Sequence, residues 1–167
     1  MKNTHTRIRW MFIVALFMAF TLVLSTFSIP VPGGHFYLND IVIVIAAVLL
    51  DPLGAFLACG VGSFLGDVFF YPAPMFVTLV THGLQAIVIS LAVRKIEGKK
   101  GLAIGLLIGQ IIMITGYTLG RSYVYATPEY AMLKLPFDFA QAIMGAVVGL
   151  IVLRKAQLQK KYDKLMA

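Results

Sequence analysis

The sequence predicts an all-α integral membrane protein, a six-helix bundle forming a single membrane domain over residues 1–167. Three observations carry that expectation. Apolar residues make up 60% of the chain and charged residues 13%, against about 25% charged in a soluble domain. Mean hydropathy is +0.90. The apolar residues fall in runs near bilayer length, about 20 residues, separated by proline, glycine and charge. A soluble fold of this size has too little interior for so much apolar surface, and inside lipid the backbone groups of helices satisfy one another.

The elements follow in order. The first helix is expected over 8–29, after the basic residues Lys2, Arg7 and Arg9. Its apolar run exceeds the roughly 7–15 residues of a signal-peptide core and no small-residue cleavage site follows, so it reads as a retained helix. The second, 39–50, is short, reaching only about 18 Å at about 1.5 Å per residue. The third is 52–70, opened by Asp51-Pro52. The fourth is 74–94 and the fifth 101–121. The sixth is 135–153, with a basic tail over 154–167. Between the first two lies PVPGGHFYLND, Pro30–Asp40, a polar loop in an otherwise apolar chain.

Charge sets the expected orientation. The chain carries a net charge of +7. With six crossings, all basic residues except Arg121 and Lys134 fall on one side, so the positive-inside bias places both termini in the cytoplasm. The basic residues therefore read as topology signals and not as a nucleic-acid surface. The single cysteine, Cys59, lies in an apolar run and reads as a packing residue.

Small residues recur every four positions at Gly54, Ala58, Gly62 and Gly66, at Gly105/Gly109, at Gly116/Gly120 and at Gly145/Gly149. Such stripes let helices approach closely in lipid and read as internal packing. Ala15 and Ala19 share that spacing on a bulkier first helix, where the stripe can receive a partner helix.

Polar residues inside apolar helices are costly and default to functional hypotheses. Here they gather in the outer half of the bundle. Asp67 ends the third helix. His82 and Gln85 lie roughly 12 and 16 Å below the outer start of the fourth. Tyr117 and Arg121 end the fifth, Asp138 and Gln141 open the sixth, and Asn39 and Asp40 open the second. Thr78, His82 and Gln85 share a helix face, as do Tyr117 with Arg121 and Asp138 with Gln141. The inner half is plain. A pore needs polar groups through both halves. This distribution instead predicts a cup open to the outside with a closed floor, suited to a small polar aromatic ligand.

Structural roles compete for the same residues. Arg121 can anchor at the interface or pair with Asp138 or Glu129. His82 can bond a neighbouring helix, and Asp67 can cap a loop. Asn39 can cap the second helix beside Asp40, and Asp51 the third. Tyr71, Tyr123, Tyr125 and Tyr130 can form an aromatic belt. No phosphate loop, nucleophile elbow, zinc-protease helix or Cys/His metal spacing occurs. No enzymatic activity, cofactor or metal is expected.

The stretch LNDIVIVIAAVLLDPLGAFLACGVGSFLGDVFFYPAPMFVTLVTHGLQAIV, the small size, the six expected helices and Ala15/Ala19 resemble the substrate-binding (S) components of energy-coupling factor (ECF) vitamin transporters, a branch of the ABC superfamily. The pattern is similar to the riboflavin, hydroxymethylpyrimidine and pyridoxine type, with Asp51-Pro52 where a Gly-Pro turn is usual. The resemblance implies a multi-pass protein of a bacterial cell membrane that captures a vitamin outside. It implies a membrane scaffold (T) subunit and two cytoplasmic ATPase subunits as partners, docking at Ala15 and Ala19, with ATP-driven toppling of the bundle. It also implies that the first external loop lids the site through His35, Phe36, Tyr37 and Asn39, above Asp67, His82, Gln85, Tyr117, Arg121, Asp138 and Gln141. Pyridoxine or hydroxymethylpyrimidine is the expected ligand, ahead of riboflavin or pantothenate. A structural membrane protein without a ligand and a self-sufficient small carrier are the competing classes.

Overall fold

A computed structural model describes residues 4–166. Lys2 lies outside the described residues. Helix α1 (Thr4–Thr26) leads into a hairpin of β1 (Ser28–Val31) and β2 (Gly34–Tyr37). Then come α2 (Asn39–Leu49), α3 (Pro52–Phe70), α4 (Met75–Lys95), α5 (Gly98–Tyr125), α6 (Pro128–Lys155) and α7 (Leu158–Met166). Helices α1, α3, α4, α5 and α6 are each long and apolar enough to cross a membrane, and α2 is apolar but shorter. The fold is all-α apart from the hairpin.

Helix α2 is short and central. It packs against α1, α3, α4 and α6, and Ile43, Val44, Ala46, Ala47 and Leu50 have no more than trace exposure. Ile13 and Val14 of α1, Ala55, Ala58 and Cys59 of α3, Ala86 and Ile89 of α4 and Leu106 of α5 complete this core. Cys59 donates weakly through Sγ to the Ile43 carbonyl.

The small-residue stripes are where helices touch. Gly62 and Gly66 meet Met18, Thr21 and Ser25 of α1, Gly105 and Gly109 meet Ile89 of α4, and Gly116 meets Thr81. Gly145 sits where α6 packs closely on α2: a Cβ there would lie 2.6 Å from the Asp40 Cβ and 3.1 Å from its carbonyl carbon. Gly145→Ala is therefore expected to cost about 1–3 kcal/mol of overpacking, read as a lower unfolding midpoint in detergent. An unchanged midpoint would mean that α6 can retreat from α2 freely.

Several boundaries differ from expectation for physical reasons. The segment Pro30–Asp40, expected as a loop, contributes most of an antiparallel hairpin with Ser28 opposite Tyr37 and Val31 opposite Gly34. Pro32 and Gly33 make its turn, and Gly33 takes φ +79°, the proline-then-glycine pattern of a type II turn. Pro30 is tolerated because both strands of a two-stranded ribbon are edges.

The expected external segment 122–134 is mostly helical. Residues Arg121–Tyr125 form a π-helical turn that extends α5. Pro128 then opens α6 at its first turn, where a missing N–H costs nothing. The sixth helix, expected from residue 135, thus starts earlier, and Pro136 lies inside α6. It removes one backbone bond, while buried Lys134, Asp138 and Gln141 anchor the helix on both sides of it.

Two expected caps do other work. Leu38, not Asn39, is the N-cap of α2. Asn39 Nδ2 donates to Ser25 Oγ at 3.1 Å and Ser63 Oγ at 3.4 Å. Asp51 occupies the N-cap of α3 without a side-chain cap bond, and its Oδ1 accepts from Trp10 Nε1. In the basic tail, α7 lays Tyr162 and Met166 against the core, and Arg9 donates to the Leu165 carbonyl at 3.1 Å.

Candidate functional site

The polar residues gather at the hairpin end of the bundle in three adjoining groups. The first surrounds a cavity of about 40 Å³ between the hairpin and α3, α4 and α5. Asp67 reaches it from the end of α3, Thr78 from α4, Tyr117 and Arg121 from α5, and Tyr37 and Asn39 from the hairpin and the start of α2. Tyr71 and Tyr125 complete the wall. Tyr117 donates its hydroxyl to Thr78 Oγ1 at 2.9 Å. The widened turn at Arg121–Tyr125 belongs to this wall, and π-turns are frequent at functional sites.

The second group lies behind the first and centres on Asp40, which is fully buried. Its Oδ2 accepts from Gln141 Nε2, and its Oδ1 accepts from Gln85 Nε2 at 3.4 Å. Gln85 Oε1 in turn accepts from His82 Nδ1 at 2.7 Å. Gln85 Nε2 also lies 3.3 Å from Gln110 Oε1. The His82 ring stands edge-on to Tyr117 at 5.3 Å, which joins the two groups.

The third group is an ion triplet. Asp138 accepts from Arg121 Nη1 at 3.0 Å and from Lys134 Nζ at 2.6 Å, with all three side chains buried. Lys134 and Asp138 stand four residues apart on α6, one turn of helix.

Two contacts seat the hairpin on these groups. The Tyr37 backbone N–H donates to Gln141 Oε1 at 3.0 Å. The turn at Gly33 and Gly34 rests on Tyr130 and Lys134 of α6. Gln141 therefore holds Asp40 with one end of its amide and the hairpin with the other. Burial, with the Asp67 charge adding to it, pushes the Tyr37 phenol well above its ordinary value, so it stays an O–H donor.

The structure brings most of the expected site residues together. Asn39, Asp67, Tyr37, Tyr117 and Arg121 line the cavity. His82, Gln85, Asp138 and Gln141 form the buried shell behind it. The His35 ring lies 5.6 Å from that of Tyr71 and 6.1 Å from that of Tyr37. Phe36 alternates to the opposite face of β2 from both. Of the two readings of Arg121 as an ion-pair partner, Asp138 is the one realised. Tyr123 and Tyr130 are exposed, as belt residues are, whereas Tyr71 and Tyr125 face the cavity. Ala15 and Ala19 lie exposed on α1. Asp40, Lys134, Thr78, Tyr71 and Tyr125 also contribute, though none was among the expected ligand residues. The i, i+4 spacing of Lys134 and Asp138 was a readable signal, whereas Asp40 was marked only as a polar residue at the start of a helix.

A polar site closed at one end of an apolar bundle is what a transporter's capture subunit requires. A family model described as the ECF-type riboflavin transporter, S component, matches residues 5–160. The chain belongs to the ECF-type S component family. This S component is accordingly a multi-pass membrane protein of a vitamin transport system and a transport subunit in class, not an enzyme. It is also 34% identical over 133 residues to a protein of Pyrococcus woesei described as an uncharacterized protein in gap 3'region, a match covering 78% of this chain and 89% of that one.

Proposed function

We propose that this S component captures a small heteroaromatic vitamin or precursor, pyridoxine or hydroxymethylpyrimidine, from outside the cell. The observation that carries the reading is the hairpin seated over a buried polar site. The enclosed space of about 40 Å³ is well below the roughly 300–1,000 Å³ of ligand pockets. Admission of a vitamin therefore requires the hairpin to lift and the tyrosine wall to part. A single-ring ligand demands less expansion than a three-ring one. Riboflavin is the second reading, favoured by the description of the matching family.

Orientation follows from charge. Both cations at the hairpin end, Arg121 and Lys134, are buried against Asp138. The other end gathers Arg7, Arg9, Arg94, Lys95, Arg154 and the lysines of α7. The positive-inside bias thus favours cytoplasmic termini and six crossings, with the hairpin outside.

The membrane floor below Gln85 lacks ionisable side chains in Ala86–Val93, Leu102–Gly109 and Ile143–Leu153. Release inward through that floor has no polar path. Delivery by toppling with a T subunit and two ATPase subunits removes the need for one. The exposed Ala15/Ala19 stripe on α1 is the proposed docking surface for the T subunit.

The test is mass spectrometry of small molecules released from the detergent-purified chain, then titration with pyridoxine, hydroxymethylpyrimidine and riboflavin. A stoichiometric vitamin supports capture and names the substrate. No binding across that panel and pantothenate would sink it. Ala15→Leu/Ala19→Leu is expected to keep vitamin binding and to abolish uptake in cells with the partner subunits. Uptake at the normal rate would remove the stripe from the docking surface.

A further inference from the structure

We infer that Asp67 and Asn39 select the ligand by accepting hydrogen bonds from a donor edge of its ring, so that the site takes neutral or cationic amino- or hydroxy-heteroaromatics and rejects carboxylates and phosphate esters. This rests on the capture reading above and specifies its substrate chemistry.

The unsatisfied atoms carry the argument. Among the described residues, Asp67 Oδ2 and Asn39 Oδ1 are buried without a hydrogen-bond partner. Both residues are more than nine-tenths buried and both line the cavity. Each of these atoms is an acceptor. Asn39 has already used its donors on Ser25 and Ser63, which leaves its carbonyl for the cavity. A buried polar atom without a partner costs free energy that a ligand donor recovers on binding. Two such atoms together call for two donors on one ligand. An amine beside a hydroxymethyl group, or a ring hydroxyl beside one, supplies them.

Charge points the same way. Arg121 and Lys134 are the cations nearest the cavity, and Asp138 holds both. With Asp67 included, these four groups sum to zero, and Asp40 adds a further carboxylate behind them. Among the described residues the cations nearest the cavity are paired to Asp138, so an anionic ligand would bring negative charge beside Asp67 and have to compete with that carboxylate for Arg121. A phosphate ester brings more.

The experiment uses the full-length protein in detergent and matched ligand pairs. Hydroxymethylpyrimidine is compared with the analogue whose amine is replaced by methyl, and pyridoxine with the analogue lacking its ring hydroxyl. Each parent is also compared with its phosphate ester. The wild type is expected to bind one parent on the order of 10–100-fold tighter than its donor-poor analogue and to show no saturable binding of the ester. Asp67→Asn, which places an amide where the carboxylate stood, should shrink the first ratio severalfold. Equal affinity within both pairs, a ratio unmoved in folded Asp67→Asn, or preferred binding of an ester would overturn the donor-edge assignment and leave capture standing. Should Asp67→Asn fail to fold, the wild-type pairs alone decide. No binding of any vitamin in the panel would remove capture and this inference together.

Discussion

Asp138→Asn is expected to lower the unfolding midpoint of the detergent-solubilised protein sharply, corresponding to about 3–5 kcal/mol. Asp138 is the salt-bridge partner of both Arg121 and Lys134, at 3.0 and 2.6 Å. The side chains of Lys134 and Asp138 retain only 2% and 3% of their accessible surface. Water cannot screen what remains when the carboxylate becomes an amide. Two like charges would then face each other beside the hairpin turn and the cavity. Such a cluster adds little stability over apolar packing, yet breaking it on one side is expensive. The second arm separates repulsion from lost packing. Asp138→Asn/Lys134→Met keeps the unbranched stem that packs near Gly34 and removes one of the two charges. It is expected to recover most of the lost midpoint, a coupling that a double-mutant cycle reads directly. No recovery would mean that the carboxylate acts through shape alone.

The same triplet shows how far the sequence reached. The apolar runs, their order and the clustering of polar residues toward one end of the bundle were legible because helical period and hydropathy act locally. The third run matches α3 over residues 52–70. Spacing also placed Thr78, His82 and Gln85 on one face, and all three are buried facing the site end. Asp40 escaped because its role is tertiary. Its partners, Gln85 and Gln141, stand 45 and 101 residues away. Beside Asn39 it looked like a residue at a helix start, where local physics favours an acid in any case.

Lys134 was misplaced for a different reason. The sixth helix was expected from residue 135, which left Lys134 as a charge on an external loop, whereas α6 begins at Pro128 and runs through Pro136. In α6 the buried polar contacts on either side outweigh one lost backbone bond. The hairpin was hidden likewise. Prolines and glycines at Pro30, Pro32, Gly33 and Gly34 signal a turn strongly, and four-residue strands leave too short a pattern to register beside it. What that density encodes is a turn of fixed shape rather than a slack loop.

That fixed shape leads to a second large effect, on ligand dissociation. Gly33→Ala is expected to speed release of the bound vitamin on the order of 10–100-fold, with a smaller change in association rate. A Cβ at Gly33 would sit 2.5 Å from the Tyr130 carbonyl oxygen and 2.8 Å from the Lys134 backbone nitrogen. Both are backbone atoms of α6 and cannot swing aside. The turn must rise instead, and Tyr37 on β2 rises with it, straining its bond to Gln141. Overpacking of this kind costs about 1–3 kcal/mol, which in a closed lid appears as faster opening. Strain at φ +79° adds to it but is separable. Gly98 also has positive φ, +69°, and a Cβ there would meet nothing within 4 Å. Gly98→Ala therefore carries backbone strain without collision and is expected to leave release unchanged. Stopped-flow displacement of a bound vitamin measures both variants. Faster release in Gly33→Ala alone would identify the hairpin as the lid of the site. Wild-type rates in both would mean that the ligand leaves by a route the hairpin does not control.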